Sequence, residues 1–212
     1  MSHECFTVKH YGELLDAASS YRFAQFDHEP AKGDLFLRHD VDMSLEAALE
    51  MAELERERGV TATYFLMTRS DFYNLDGRVG QRAIERLREL GHAVGLHGLY
   101  PDATLDARFD PVFAWHTPEQ EWMSKPVEGA VNVMQEPWFD ATHYRSDSNR
   151  HWRSGCPVDE LRAGAFEWLQ LLVHPEIWVF DGATMREKML AYLDADQRNR
   201  FDYFAANRLD LS

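Results

Sequence analysis

Apolar positions along this chain switch between a period of two and a period near 3.6, and the switches mark its elements. After the turn Pro30-Ala-Lys-Gly33, residues Asp34 to Val41 read as a buried strand. Ser44 can cap the helix that follows, which carries Leu45, Ala48, Leu49 and Ala52 on one face and stops at Gly59. Val60 to Met67, rich in β-branched and aromatic residues, predicts a second strand. Arg78 to Leu90 predicts an amphipathic helix with Val79, Ala83, Ile84, Leu87 and Leu90 apolar, closed by Gly91. His92 to His97 is then a short strand. This β-α-β-α-β run from 34 to 97 implies parallel strands joined by right-handed crossovers.

The flanks carry weaker patterns. Tyr11 to Ser20 predicts a helix, and Tyr21 to Phe26 a first strand. Leu99 to Asp110 reads as a loop, and Val112 to His116 as a strand. Thr117 to Trp138 lacks periodicity and reads as a loop region covering an active site. Tyr144 opens Tyr-Arg-Ser-Asp-Ser148, another strand end, and Val158 to Gly164 is a short helix. Phe166 to Val173 is a strong strand, and from Thr184 to Leu193 a charged helix begins that runs on with breaks towards Leu209. With no internal repeat or linker-like tract, residues 1–212 are expected to form one α/β domain.

Composition narrows the partners. The 212 residues are 45% hydrophobic, enough for one sizeable core. A formal net charge of -14 disfavours nucleic acid and anionic membrane surfaces, both of which need a basic face. A neutral or cationic small-molecule or saccharide substrate fits better. The first residues hold no apolar run of signal-peptide length and no segment could span a bilayer, so a cytoplasmic location is expected. Cys5 and Cys156 lie far apart and show no metal-site spacing, so they are expected to be free thiols without a role.

Four predicted strands end in Asp or His: Leu35 to Asp42, His92 to His97, Val112 to His116 and Leu169 to Pro175. In a parallel α/β layout these ends share the carboxyl-terminal face, where active sites of such folds lie. Asp40 and Asp42 are one residue apart, which puts both carboxylates on one face of a strand. Such a pair can divide labour, one holding a divalent cation and the other taking a proton from water. Asp42, two residues before Ser44, also suits helix capping. His92, straight after Gly91, fits a structural role on the last carbonyls of its helix, while His97 at the opposite end of the strand suits a ligand. His116 and His174 end two further strands. Zinc-helix, Cys-x-x-Cys, nucleophile-elbow, phosphate-loop and dinucleotide motifs are absent. Trp115, Trp122, Trp138, Trp152 and Trp178 fall in or near these segments, and aromatic faces suit sugar rings.

Arg38-His-Asp-Val-Asp42, Leu90-Gly-His-Ala-Val-Gly-Leu-His97 and Leu171-Leu-Val-His-Pro175, with Ile177-Trp178 behind it, resemble polysaccharide deacetylases of the chitooligosaccharide-deacetylase group. More narrowly, they resemble deacetylase-like proteins associated with bacterial surface-polysaccharide genes, where Tyr144-Arg-Ser-Asp-Ser148 and Trp115-His116 also find counterparts. The resemblance spans about Leu35 to Trp178. It implies a distorted (β/α) barrel of about seven strands, a bound zinc or similar divalent ion, and hydrolysis of N-acetyl groups from amino sugars. Carried over, Asp40 matches the base and Asp42 the metal ligand, an assignment that could be reversed. His97 matches the first ligand histidine, whereas the second falls on Pro101, a place that His116 or water could take. His174 matches the general acid. Two alternatives stand beside this expectation: cleavage of another non-peptide C–N bond, such as a ureide or formamide, and a non-catalytic barrel that binds carbohydrate or a protein.

Overall fold

The computed structural model describes residues 5–207. Its sheet is parallel throughout and curled into a half-barrel, flanked by six helices. In chain order the strands are β1 (Arg22–Ala24), β2 (Asp34–Val41), β3 (Thr63–Leu66), β4 (Ala93–Gly98), β5 (Val112–Trp115), β6 (Val131–Asn132), β7 (Tyr144–Ser146) and β8 (Leu169–Val173). Seven of them run in the order β6-β5-β4-β3-β2-β8-β7, and β1 pairs with the start of β2. The predicted distorted α/β barrel of about seven parallel strands is what the chain forms. The helices are α1 (Val8–Ala17), α2 (Leu45–Glu57), α3 (Arg78–Glu89), α4 (Val158–Arg162), α5 (Pro175–Val179) and α6 (Met185–Ala206).

β2 lies at the centre, and its alternation organises the molecule. Leu35, Leu37 and Val41 enter the main core with Leu14, Leu45, Met51 and Ala52 from α1 and α2. Phe36 belongs to a second, smaller cluster with Phe26, Phe65, Val112 and Ala114. Arg38 and Asp40 share the parity of Phe36, whereas His39 shares that of the helix-facing residues. His39 accordingly stacks on Tyr64 with ring centroids 4.1 Å apart and reaches Glu55 of α2 at 2.7 Å. Glu55 also accepts from Tyr64 Oη at 2.9 Å and from the Tyr11 hydroxyl, so one carboxylate ties α1, α2, β2 and β3 together.

The structure revises several sequence expectations. α1 begins before Tyr11, because the Thr7 side chain caps it by accepting from His10 N. The stretch from Thr117 to Trp138 contains the edge strand β6, too short to show a period. α5 follows His174 directly, opened by Pro175 in the first turn, where its missing N–H costs nothing. α6 is continuous to Ala206, started by a capping box between Thr184 and Glu187, and Leu209 lies outside the described residues.

Candidate functional site

Reading across the sheet, the carboxyl ends deliver His116 after β5, His97 within β4, Asp40 and Asp42 at the end of β2, and His174 after β8. All five side chains line one cavity of about 330 Å³. Register explains the meeting: His97 pairs with Ala114 and Asp40 with Phe65, so neighbouring strands end nearly level.

Asp42, His97 and His116 form a tight triangle. His116 Nδ1 stands 3.1 Å from Asp42 Oδ1 and 3.1 Å from His97 Nε2, and His97 Nε2 is 3.3 Å from Asp42 Oδ1. Ligand atoms about 2.0–2.2 Å from one ion sit roughly 3.0–3.5 Å from each other, so the triangle has the edges of a coordination polyhedron. Asp42 Oδ1 is buried without an aligned hydrogen-bond donor, although two ring nitrogens face it. That is the arrangement of ligands round a common point. His97 Nδ1 lies 3.1 Å from the Ala114 carbonyl, which holds the proton on Nδ1 and leaves the Nε2 lone pair for the cluster. The three residues can hold a metal ion. His116, from the adjacent strand, completes a set to which Pro101 contributes nothing. Burial would raise the Asp42 pKa, but the adjacent His116 and His97 rings outweigh it and hold the carboxyl well below its ordinary range.

Asp40 sits beside this triangle, with Oδ2 3.7 Å from His97 Nε2. Arg38 grips it with a two-pronged fork, Nε donating to Oδ1 at 2.7 Å and Nη2 to Oδ2 at 2.6 Å. Burial alone would raise the Asp40 pKa, but the Arg38 guanidinium, followed by His97, keeps it below the usual carboxylate range. Arg38 is itself buried and gives a further hydrogen bond to Gln170 Oε1 at 3.2 Å. Gln170 Nε2 in turn donates to the carbonyls of Val133 and Trp138, so the fork cannot swing.

On the far side of β2, His174 is oriented by Asp147. Its Nδ1 lies 2.6 Å from Asp147 Oδ1, its backbone N–H donates to Oδ2 at 2.9 Å, and Trp178 Nε1 donates to Oδ2 at 2.7 Å. Burial would lower the imidazole pKa, but the Asp147 charge and hydrogen bond push it up to about 10. The ring is therefore a cation at neutral pH, with Nε2–H left over for another partner.

No family profile, curated protein or solved structure matches this chain.

The remaining candidates are sorted by their contacts. His92 is structural: its backbone N–H donates to the Leu87 carbonyl in the last turn of α3 at 3.0 Å, while its side chain serves other elements, Nδ1 accepting from Ala62 N at 3.1 Å and Nε2 facing the Ala52 carbonyl of α2 at 3.1 Å. Of the tryptophans, Trp115 lines the cavity and Trp178 backs it through Asp147. Trp152 is buried against Phe6, Trp138 lines a separate cavity at the amino ends of β3, β4 and β5, and Trp122 stacks on Tyr100 with centroids 4.8 Å apart. Asp147 and Glu176 join the site without having been singled out in sequence. Glu176, in the first turn of α5, is fully enclosed, and burial followed by the Asp42 charge pushes its carboxyl up to about 8. The signal for Asp147 was the Tyr144 to Ser148 segment; for Glu176 there was none.

Proposed function

We propose that this chain is a metal-dependent hydrolase that removes the acetyl group from an N-acetylated amino sugar or a closely related small amide. The observation that supports it most is the convergence, over one small cavity, of a triangle of metal-ligating atoms, an arginine-clamped carboxylate and an aspartate-oriented imidazolium. These are the three functions that amide hydrolysis by water needs. A cavity of about 330 Å³ with Trp115, Phe139 and Tyr144 in its wall suits one sugar-sized group. The resemblance to polysaccharide deacetylases points to the same chemistry.

Asp42, His97 and His116 would hold the divalent ion, with zinc the best match to two imidazoles and one carboxylate. Such an ion supplies Lewis-acid polarisation of the amide carbonyl and acidification of a water. Asp40 accepts the proton of that water. Because Arg38 holds Asp40 in its charged form, it is a weak base and suits a water already made acidic. His174, protonated, gives its Nε2 proton to the departing amine nitrogen, and Asp147 stabilises the imidazolium and fixes its direction. The products are acetate and the free amine.

The test is release of acetate from N-acetylglucosamine and its short β-1,4 oligomers by purified protein, with a ureide and a formamide in the same panel. Acetate released by the parent and lost in D40N, H174A and chelator-treated protein supports the reading. Turnover that H174A leaves intact would remove the general-acid role. Cleavage confined to the ureide or formamide would move the activity to another C–N bond.

A further inference from the structure

We propose that Cys5, Cys156 and His10 form a second metal site, distinct from the cavity, that takes a soft divalent ion such as Zn²⁺. The two thiols are 151 positions apart in sequence, since Cys5 is five residues before His10 and Cys156 is 146 after it. Folding nevertheless brings their sulfurs and a His10 ring nitrogen within 4.8 Å of one another. Both cysteines are free and half-buried, so an ion can reach them, while His10 is buried on α1.

The imidazole is arranged as a ligand. His10 Nε2 lies 3.2 Å from Cys156 Sγ, and Nδ1 lies 3.2 Å from Glu13 Oε2. A carboxylate on the far nitrogen keeps the proton at Nδ1 and turns the Nε2 lone pair towards the sulfurs, the pattern that accompanies histidines bound to zinc. Zn–S bonds of about 2.3 Å and Zn–N bonds of about 2.0–2.1 Å at a tetrahedral angle put N and S roughly 3.6 Å apart, so the pair needs to part by only a few tenths of an ångström. Two thiolates and one imidazole select zinc over magnesium or calcium.

The position gives such an ion something to hold. It would tie the chain ahead of α1 to the segment ahead of α4, two helices that pack on each other. The His10 ring also lies nearly parallel to Trp178, with centroids 6.1 Å apart. Trp178 donates to Asp147, so the clasp braces the wall behind His174.

Cobalt substitution separates this site from the cavity, because only a sulfur ligand gives a thiolate-to-Co²⁺ charge-transfer band in the near ultraviolet. Titrating the metal-free full chain with Co²⁺ should raise that band, and Zn²⁺ should abolish it. C5S and C156S should lose the band, H10Q should weaken it, and H97A and H116A should keep it. Circular dichroism identifies any variant that fails to fold, and in the parent chain Zn²⁺ should also protect Cys5 and Cys156 from iodoacetamide. Absence of the band in the parent, its survival in C156S, alkylation unaffected by Zn²⁺, or a Cys5–Cys156 disulfide in freshly purified protein would each overturn the proposal.

Discussion

Two buried ion pairs decide what the cavity can do, and each makes a measurable commitment. His174 owes its charge to Asp147, so its pKa of about 10 is a tertiary property of that pair. The sign follows from linkage: a raised folded pKa contributes stability that is complete below the ordinary histidine value of 6.5 and disappears as pH rises towards about 10. D147N should therefore cost most stability near neutral pH and little above pH 10, as read by urea unfolding across pH. On the proposed mechanism, D147N should also lower turnover by about 10²–10⁴-fold, the usual worth of a general acid, and shift the alkaline limb of the rate profile towards neutrality. Arg38 and Asp40 are mutually dependent in the same way. R38M leaves a buried carboxylate without its partner, and breaking such a pair typically costs about 3–5 kcal/mol. The double variant R38M/D40N should recover much of that loss in the same unfolding assay; no recovery would show that the fork is not what stabilises Asp40.

At the level of elements, strand ends do the positioning, and the close fit between strands makes it accurate. β4 approaches β3 so closely at Gly95 that an added Cβ would stand 2.6 Å from the Phe65 ring and 3.0 Å from Val112 Cγ2. His97 lies two residues further along the same strand. G95A should destabilise the fold by about 1–3 kcal/mol through overpacking, and it should weaken metal binding by displacing His97. Thermal unfolding and metal titration check the two effects separately. The elements that sequence patterns missed are β6 and α5, of two and five residues. Neither is long enough to display its own period, and both exist because neighbours satisfy them: β6 pairs with β5, and α5 packs on α2 and α6.

For the whole molecule, the proposed metal binding would be linked to folding in one equilibrium. An ion at about 100 times its dissociation constant adds about 2.7 kcal/mol, or roughly 5–10 °C for a chain of this size. A chelator should lower the melting temperature accordingly, H97A should remove the cavity's share of that shift, and C156S the clasp's share. A chelator without effect on either site's variants or on the parent would mean that neither group binds an ion. Among the described residues no helix is long and apolar enough to cross a membrane. Much of this architecture was legible in the chain. The alternation of Asp34 to Val41, the helical faces after Ser44 and Arg78, and polar strand ends at Asp40, Asp42, His97, His116 and His174 are local signals, and local periodicity dictates parallel layout and shared parity. Which side chains would touch was decided by strand order and register. That His116 rather than a residue near Pro101 meets Asp42 follows from β5 lying beside β4. That Cys5 meets Cys156 follows from α1 packing on α4. Contacts across 20 to 150 residues leave no periodic trace, because each partner's own neighbourhood obeys its local rules whether or not the other is present.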